Sequence, residues 1–167
     1  MVGGTILVVN LLACSFSILI ACHPAPPACP TPVATPIASS PQPDLVVTPS
    51  AHDHATTLAR LVAAIEARGL TLFARLDHAA GASAAGMTLH PTTVLIFGNP
   101  KAGTPLIAAA PSIALDLPLR VLVAQHAERV EVTYRAPAAL AAAHRVDHPS
   151  IAKLTEALAA VTAEATR

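Results

Sequence analysis

A proline-rich segment near the start of the chain is the feature that most limits its fold. Nine prolines lie between Cys22 and Pro49, separated mainly by Ala, Thr and Ser, and this segment contains no glycine. Proline lacks a backbone N–H and fixes its φ angle, so the segment cannot form a helix or the interior of a sheet. We expect residues 22–44 to be a semi-rigid, partly polyproline tether. A single folded domain is then expected over residues 45–167.

An apolar run from Thr5 to Ala21 precedes the tether. It is short for a hydrocarbon core, which takes roughly 20 apolar residues to cross, and residues 1–21 fit a signal peptide better. The run ends in Leu-Ile-Ala-Cys at residues 19–22, which is similar to the cleavage box of bacterial lipoproteins. We therefore expect Cys22 to become the first residue of the mature chain and to carry fatty acids such as palmitate.

The leader differs from an ordinary signal peptide because no Lys or Arg precedes Arg60. Signal peptides begin with a basic segment, which a translation start further upstream would supply. An uncleaved membrane anchor and an ordinary secretory signal are the alternatives. On the lipoprotein interpretation, the protein is held to a membrane of the cell envelope through Cys22 and faces the periplasm or the cell exterior. Cys29 would remain in the tether as an idle or capped thiol, and the alternative is a disulfide between two copies in a homodimer.

Charge and aromatic content exclude one class of partner. Ten basic residues balance ten acidic ones, and aromatic residues make up 2% of the chain. Nucleic-acid binding relies on positive charge and stacking side chains, so we expect no nucleic-acid partner. The chain is 53% hydrophobic and 12% charged, which is typical of a folding sequence with a core of small aliphatic side chains.

Hydrophobic periodicity predicts alternating short strands and helices after the tether. Helical patterns cover residues 51–68, 79–86, 104–110, 137–144 and 150–166, and strand patterns cover residues 45–47, 70–76, 92–97, 119–123 and 130–135. Ser50 is the expected N-cap of the first helix and Gly69 its stop signal. In the second strand, Leu70, Leu72 and Leu76 are expected on one face. The order β-α-β-α-β-α-β-β-α-α predicts an α+β fold with a small mixed β-sheet and helices packed on it.

Three strings in this domain resemble the family called domain of unknown function 302. Residues 73–82 read Phe-Ala-Arg-Leu-Asp-His-Ala-Ala-Gly-Ala, residues 97–100 read Phe-Gly-Asn-Pro, and residues 115–119 read Leu-Asp-Leu-Pro-Leu. The resemblance covers about residues 45–144 and implies a compact α+β domain whose biochemical role is not established. The chain departs from the family at residues 126–128, where the hairpin turn lacks the usual Asp-Gly.

Four residues are candidates for a ligand site, namely Asp77, His78, Asn99 and Asp116. Histidine titrates near neutral pH, and a neighbouring carboxylate can orient it as a base or a ligand. The alternative for the first pair is structural, with Asp77 capping a helix and His78 packing at the end of the sheet. Asn99 is expected in a tight turn. We expect one pocket at the strand ends to contain His78, Asn99 and Asp116.

Other chemically active side chains give weaker indications. His52 and His54 lie two residues apart, so they would not share a helix face as metal ligands. His144 and His148 have the spacing of helical metal ligands, but a loop-like setting, and no metal site is predicted. Ser112 lacks the Gly-x-Ser-x-Gly setting of many serine hydrolases.

Two classes of function therefore stay open. The favoured one is a non-enzymatic module in the cell envelope that binds a small ligand or serves in a stress response. The alternative is an enzyme, or a haem or metal binder, in which His78 is the base or the axial ligand. The residues name neither the ligand nor a cofactor.

Overall fold

The computed structural model describes residues 44–167. The predicted signal peptide, the tether up to residue 43 and the lipid site at Cys22 lie outside the described residues. None of the helices within residues 44–167 combines the length and the apolar character that crossing a membrane requires.

The element order confirms the predicted α+β class. In chain order the elements are β1 (Leu45–Pro49), α1 (His54–Ala67), β2 (Thr71–Asp77), α2 (His78–Ala84), β3 (Thr92–Gly98), α3 (Pro100–Ala109), β4 (Leu119–His126), β5 (Arg129–Arg135), α4 (Pro137–His144) and α5 (Ser150–Thr166). A 3₁₀ helix, Pro111–Leu115, connects α3 to β4. The succession of strands and helices matches the predicted one, with this short helix added.

The five strands form one sheet in the order β1-β5-β4-β3-β2. Each pairing is antiparallel, which corrects the expectation of a mixed sheet. Parallel neighbours need a crossover that returns the chain beside the strand it left. Here α1 carries the chain from one edge of the sheet to the other, and the connections through α2 and α3 reverse its direction between neighbours.

One face of the sheet, the core face, packs against α1 and α5. Residues that pair across neighbouring strands point to the same face of the sheet, as Leu95 and Val121 do on this one. The fully buried aliphatic residues include Leu61 and Ile65 of α1 and Val161 of α5. Each such side chain contributes about 1.5–3 kcal/mol by leaving water. The predicted core of small aliphatic side chains is therefore confirmed, with Phe97 and Tyr134 as its aromatic members.

The opposite face of the sheet, which we call the open face, lies away from α1 and α5. Its side chains are Leu45, Val47 and Pro49 of β1, Glu131, Thr133 and Arg135 of β5, Arg120, Leu122 and Ala124 of β4, Thr92, Val94 and Ile96 of β3, and Ala74 and Leu76 of β2.

The first helix begins later than predicted, because Asp53 and not Ser50 is its N-cap. The Asp53 carboxylate accepts a hydrogen bond from the Thr56 backbone N–H at 2.7 Å. The Ser50 hydroxyl lies 2.7 Å from the Thr57 hydroxyl and has no capping role. Gly69 follows the helix as predicted and adopts a φ of 64°.

A bulge in β2 changes which side chains share a face. The register shifts at Phe73, so Leu72 pairs with the core residue Phe97 while Leu76 pairs with Val94 on the open face. The prediction that the leucines of this strand share one face is wrong for these two. The extra residue of a bulge shifts the alternation by one, which a strict period of two does not capture.

Candidate functional site

The predicted site residues divide between the two ends of the sheet. Asp77 ends β2 and His78 begins α2, whereas Asn99 follows β3 and Asp116 precedes β4. Asp77 pairs with Thr93, near the start of β3, because β2 and β3 are antiparallel. The first two residues therefore lie most of a strand length away from Asn99. The structure does not form the expected single pocket of His78, Asn99 and Asp116.

Asp77 and His78 occupy the start of α2. One Asp77 carboxylate oxygen accepts the Ala80 backbone N–H at 2.9 Å, so this side chain is the N-cap of the helix. His78 is exposed and does not pack at the sheet end. Asp77 also borders a wide depression of about 610 Å³ that is lined by His54 and Arg75.

Asn99 is the N-cap of α3, and its side-chain oxygen accepts the Lys101 backbone N–H at 2.9 Å. The helix thus begins at Pro100, four residues before the predicted start at Thr104. The expected tight turn is the first turn of this helix. Proline is favoured at the first helical position because the N–H it lacks would have no partner there.

An apolar pocket of about 210 Å³ lies beside Asn99, between the end of β3, the start of α3 and the start of β4. It is lined by Phe73, Gly98, Asn99, Pro100, Gly103, Thr104, Ile107, Leu117, Pro118, Leu119 and Leu154. We call it the Asn99 pocket. Its lining residues are mostly aliphatic, with Asn99 and Thr104 as the polar side chains.

Two glycines leave room for this pocket. A methyl group added at Gly98 would lie 3.5 Å from Pro118 and 3.8 Å from Phe73. A methyl group added at Gly103 would lie 3.8 Å from the Leu117 side chain. A larger side chain at either position would extend into the space that the pocket now provides.

Sequence reasoning missed Phe73 as a pocket residue. It placed Phe73 on the face of β2 opposite the leucines and gave it no role, and this residue is 51% exposed. The bulge places Phe73 beside Gly98 and Pro118, where it forms one wall of the pocket. A large aromatic residue on the strand face opposite the leucines, in a chain with three Phe, was the available signal.

Asp116 belongs to a hydrogen-bonded cluster with His144 and Ser112. The His144 Nε2 atom lies 2.7 Å from an Asp116 carboxylate oxygen, and His144 Nδ1 lies 3.0 Å from the Ser112 hydroxyl. Ser112 is in the 3₁₀ helix, Asp116 caps that helix, and His144 ends α4. A Ser-His-Asp cluster can transfer protons in hydrolases. These hydrogen bonds fasten α4 to the 3₁₀ helix, and Asp116 also borders a depression of about 280 Å³.

The other histidines considered as metal ligands have separate partners. His52 Nε2 lies 2.7 Å from the Arg167 carbonyl oxygen, and His148 Nδ1 accepts the Ser150 backbone N–H at 3.1 Å. The structure does not bring His144 and His148 together as a ligand pair. Within residues 44–167, no three His, Cys, Asp or Glu side chains are grouped closely enough to hold a metal ion.

Comparison with known families and structures gives one consistent result. The family described as "Domain of unknown function DUF302" matches residues 46–165, which extends past the expected limit at residue 144 and includes α4 and α5. The crystal structure of an uncharacterized conserved DUF302 protein from Bacillus stearothermophilus has a TM-score of 0.67. It is 16% identical in sequence, and the match covers 74% of this chain and 98% of that one. This likeness shows a shared fold.

Curated relatives extend the comparison to larger proteins. "Fluoride-specific ion channel FluC 1" of Brucella suis biovar 1 is 42% identical over 110 residues, which are 65% of this chain and 43% of that protein. "Fluoride-specific ion channel FluC 2" of Brucella melitensis biotype 1 is 42% identical over the same length, which is 41% of that protein. The chain thus spans less than half the length of these relatives.

Proposed function

Since the chain belongs to the DUF302 family, whose description assigns no activity, we propose from its own structure that it is a non-enzymatic binding protein of the cell envelope. In this proposal, the domain holds a small, mainly apolar ligand in the Asn99 pocket. The single observation that carries the proposal is this pocket, with its aliphatic walls and its two glycines.

The volume of the Asn99 pocket limits the size of the ligand. An apolar cavity of roughly 150 Å³ is enough to bind benzene. The pocket, at about 210 Å³, suits a one-ring or two-ring aromatic compound or a short aliphatic one. Ligand sites are commonly apolar with a few polar groups that orient the ligand. Asn99 and Thr104 are placed to orient a single polar group of such a ligand.

The alternative function, an enzyme or a haem or metal binder that uses His78, has less support. His78 is exposed at the first position of α2 and lines neither the Asn99 pocket nor the depression beside Asp77. A catalytic base or an axial ligand needs a substrate or a cofactor within bonding distance. The Asn99 pocket therefore supports the binding function better.

An NMR titration with indole tests the pocket directly. Indole is expected to shift the backbone amide signals of residues 98–104 and 117–119 in a saturable manner. Gly103→Leu should abolish these shifts, because its side chain would occupy the pocket beside Leu117. Gly81→Leu is the matched control, since a methyl group added at this helical glycine meets no atom within 4 Å. Equal binding by wild type and Gly103→Leu would overturn the proposal.

The envelope location rests on the leader and the tether. The Leu-Ile-Ala-Cys string and the charge-free, proline-rich segment after it support lipid attachment at Cys22. In cells grown with alkyne-labelled palmitate, the wild-type chain should carry the label and sediment with membranes. Cys22→Ser should lose both properties, and Cys29→Ser should keep them as the matched control. Label on Cys22→Ser at the wild-type level would contradict lipid attachment there.

The relatives support a second candidate, a role in fluoride handling. The observation is the 42% identity over 110 residues to proteins named fluoride-specific ion channels. If the domain serves with such a channel, a strain that lacks this gene should grow more slowly than wild type in fluoride. The Gly103→Leu variant would then show whether the Asn99 pocket is needed for rescue. Equal growth of the deletion strain and the wild type would exclude this role.

A further inference from the structure

The middle of the open face is apolar on four of its five strands, and β5 contributes a threonine there. The register aligns one residue from each strand in a row, which we call the central row and which consists of Val47, Thr133, Leu122, Val94 and Leu76. At its two ends, Val47 is 51% exposed and Leu76 is 47% exposed. Contiguous apolar surfaces of this kind mark interaction sites in soluble domains.

Charged residues lie on opposite sides of the central row. Arg120 and Arg135 lie on one side of the row. Each is the residue next to the last β4–β5 pair, Val121 with Tyr134, so the register places the two arginines opposite each other. Glu131 lies on the other side, where it pairs with Ala124. Like charges on facing positions of an antiparallel pair destabilise a sheet unless an opposite charge approaches them.

Contacts within the domain engage these charges only in part. An Asp44 carboxylate oxygen lies 3.5 Å from Arg135, and His126 lies 4.0 Å from Glu131. Arg120 donates to the Leu115 carbonyl oxygen at 3.0 Å. Arg120 and Arg135 are exposed, so the charged sides of the face remain accessible to a partner.

We propose that the open face binds a second copy of this chain, about a two-fold axis that runs along the central row. Rotation about this axis places each strand over the same strand of the partner, with the two running in opposite directions. The side of the row that carries the arginines therefore lies over the partner's side that carries Glu131. Glu131 then faces the partner's Arg135, and Arg135 faces the partner's Glu131. Thr133 lies between them on β5 and would meet its own counterpart.

The charge pattern selects this axis over the other simple choice. With a two-fold axis parallel to the strands, the arginine side of the row in one copy would lie over the arginine side in the other copy. The arginines of the two copies would then face one another. Juxtaposed like charges oppose association, whereas complementary charges fix its register. Two sheets packed face to face about 10 Å apart leave room for these long side chains to pair at the rim.

The size of the open face suits a homodimer. Five strands spaced by about 4.8 Å, each contributing five residues, give a face of roughly 24 Å by 17 Å. Two such faces project roughly 820 Å². Their accessible area exceeds this projection, which brings them near the lower limit of about 1,000 Å² for a specific interface. A depression of about 280 Å³ beside Leu45, Val94 and Leu122 gives the partner's side chains a place to insert.

Cysteine cross-linking of the full chain in cells tests the axis. Thr133→Cys, in a Cys29→Ser background, should form a covalent dimer with a short bismaleimide because the two cysteines would face each other. Thr56→Cys in the same background is the matched control, since this exposed threonine lies on α1 and should give no dimer. A chain that stays monomeric with Thr133→Cys would overturn the proposal. So would a link between Thr133→Cys and Cys29 of the same chain in a variant that keeps Cys29, because the segment around Cys29 would then occupy the face.

Charge reversal tests the predicted ion pairs separately. Glu131→Arg alone and Arg135→Glu alone should each weaken dimerisation about tenfold, because each sets like charges against one another. The double variant restores opposite charges and should recover the cross-linked yield. Glu156→Arg, an exposed site on α5, should leave the yield unchanged. If the double variant loses dimer affinity by the product of the two single-variant factors, the two residues act independently. That result would rule out this ion pair.

Discussion

His144 and His78 differ in how far the fold depends on them. His144 is half-buried and joined to Asp116 and Ser112, whereas His78 is exposed at the start of α2. His144→Ala should lower the free energy of unfolding by about 1–3 kcal/mol, because it leaves two hydrogen-bonding partners unmatched. His78→Ala should change that free energy by less than about 0.5 kcal/mol, as surface substitutions usually do. Urea titrations of both variants measure the difference, and equal losses would contradict the roles assigned here.

Asp53 makes the stability of α1 depend on pH. Hydrogen bonds from Thr56 lower the pKa of this carboxyl below the 3.8 of an unperturbed aspartate. Because the folded-state pKa is the lower one, the stabilisation is present above about pH 3.8 and is lost as the pH falls through the folded value. Asp53→Asn keeps an N-cap oxygen and should remove this part of the acid dependence. A thermal-unfolding series between pH 2 and 5 compares the two proteins, and identical pH profiles would contradict the assignment.

Sequence reasoning found the polar residues at the strand ends and included helix capping as one of two roles for Asp77, which is confirmed. Asp77 and Asn99 proved to be helix caps, and capping and ligand binding favour the same short polar side chains at the same positions. Asp116 was expected to share a pocket with His78 and Asn99, whereas the structure pairs it with His144, which is 28 residues away. Such a contact depends on the packing of α4 and carries no local signature.

At the scale of elements, local patterns predicted α4 and α5 with the bounds that the structure shows. Both helices have clear start signals in the sequence, since each begins at or directly after a proline. The bulge at Phe73 and the early start of α3 were not predicted. The bulge depends on the pairing of β2 with β3, and the start of α3 depends on which residue caps the helix. Hydrophobic periodicity alone specifies neither of them.

The hairpin turn between β4 and β5 can be improved. His126 pairs with Arg129, so Ala127 and Glu128 form the turn, and Ala127 has a φ of 52°. Left-handed backbone is costly for alanine and well tolerated by asparagine. Ala127→Asn should therefore raise the free energy of unfolding by about 0.5–1 kcal/mol, which a thermal melt would show as a rise of a few degrees. Glu128→Asn lacks this strain and serves as the control, and an equal gain in both variants would contradict the explanation.

At the scale of the whole molecule, the strand order was beyond local sequence patterns. β1 pairs with β5, so Leu45 lies beside Arg135, and no short-range signal specifies a contact of that sequence separation. The composition and the succession of elements were enough to predict the α+β class. The antiparallel sheet and its open face follow from how α1 carries the chain across the sheet.

Residues 44–167 should fold without the leader and the tether. The α5 end completes the domain, since Ala51 N–H donates to the Thr166 carbonyl at 2.9 Å and Arg60 donates to the Glu164 carbonyl at 2.8 Å. A chain starting at Asp44 should unfold in one cooperative transition with coincident circular dichroism and fluorescence-dye profiles. Ending the same chain at Pro149 should abolish that transition, because it removes the α5 side chains from the core. A broad transition in the longer chain would show that the preceding residues belong to the fold.

The central claim is that the Asn99 pocket holds a small apolar ligand, and intermolecular nuclear Overhauser effects test it most directly. With saturating indole, we expect cross-peaks from the indole ring protons to the methyl groups of Leu117 and Ile107 and to the ring of Phe73, which line this pocket. The depression beside Asp77 supplies the internal comparison, and Leu58 and Val62, which line it, should give none. Cross-peaks to Leu58 and Val62, or none to Leu117, Ile107 and Phe73 at saturation, would contradict the assignment of this pocket as the binding site.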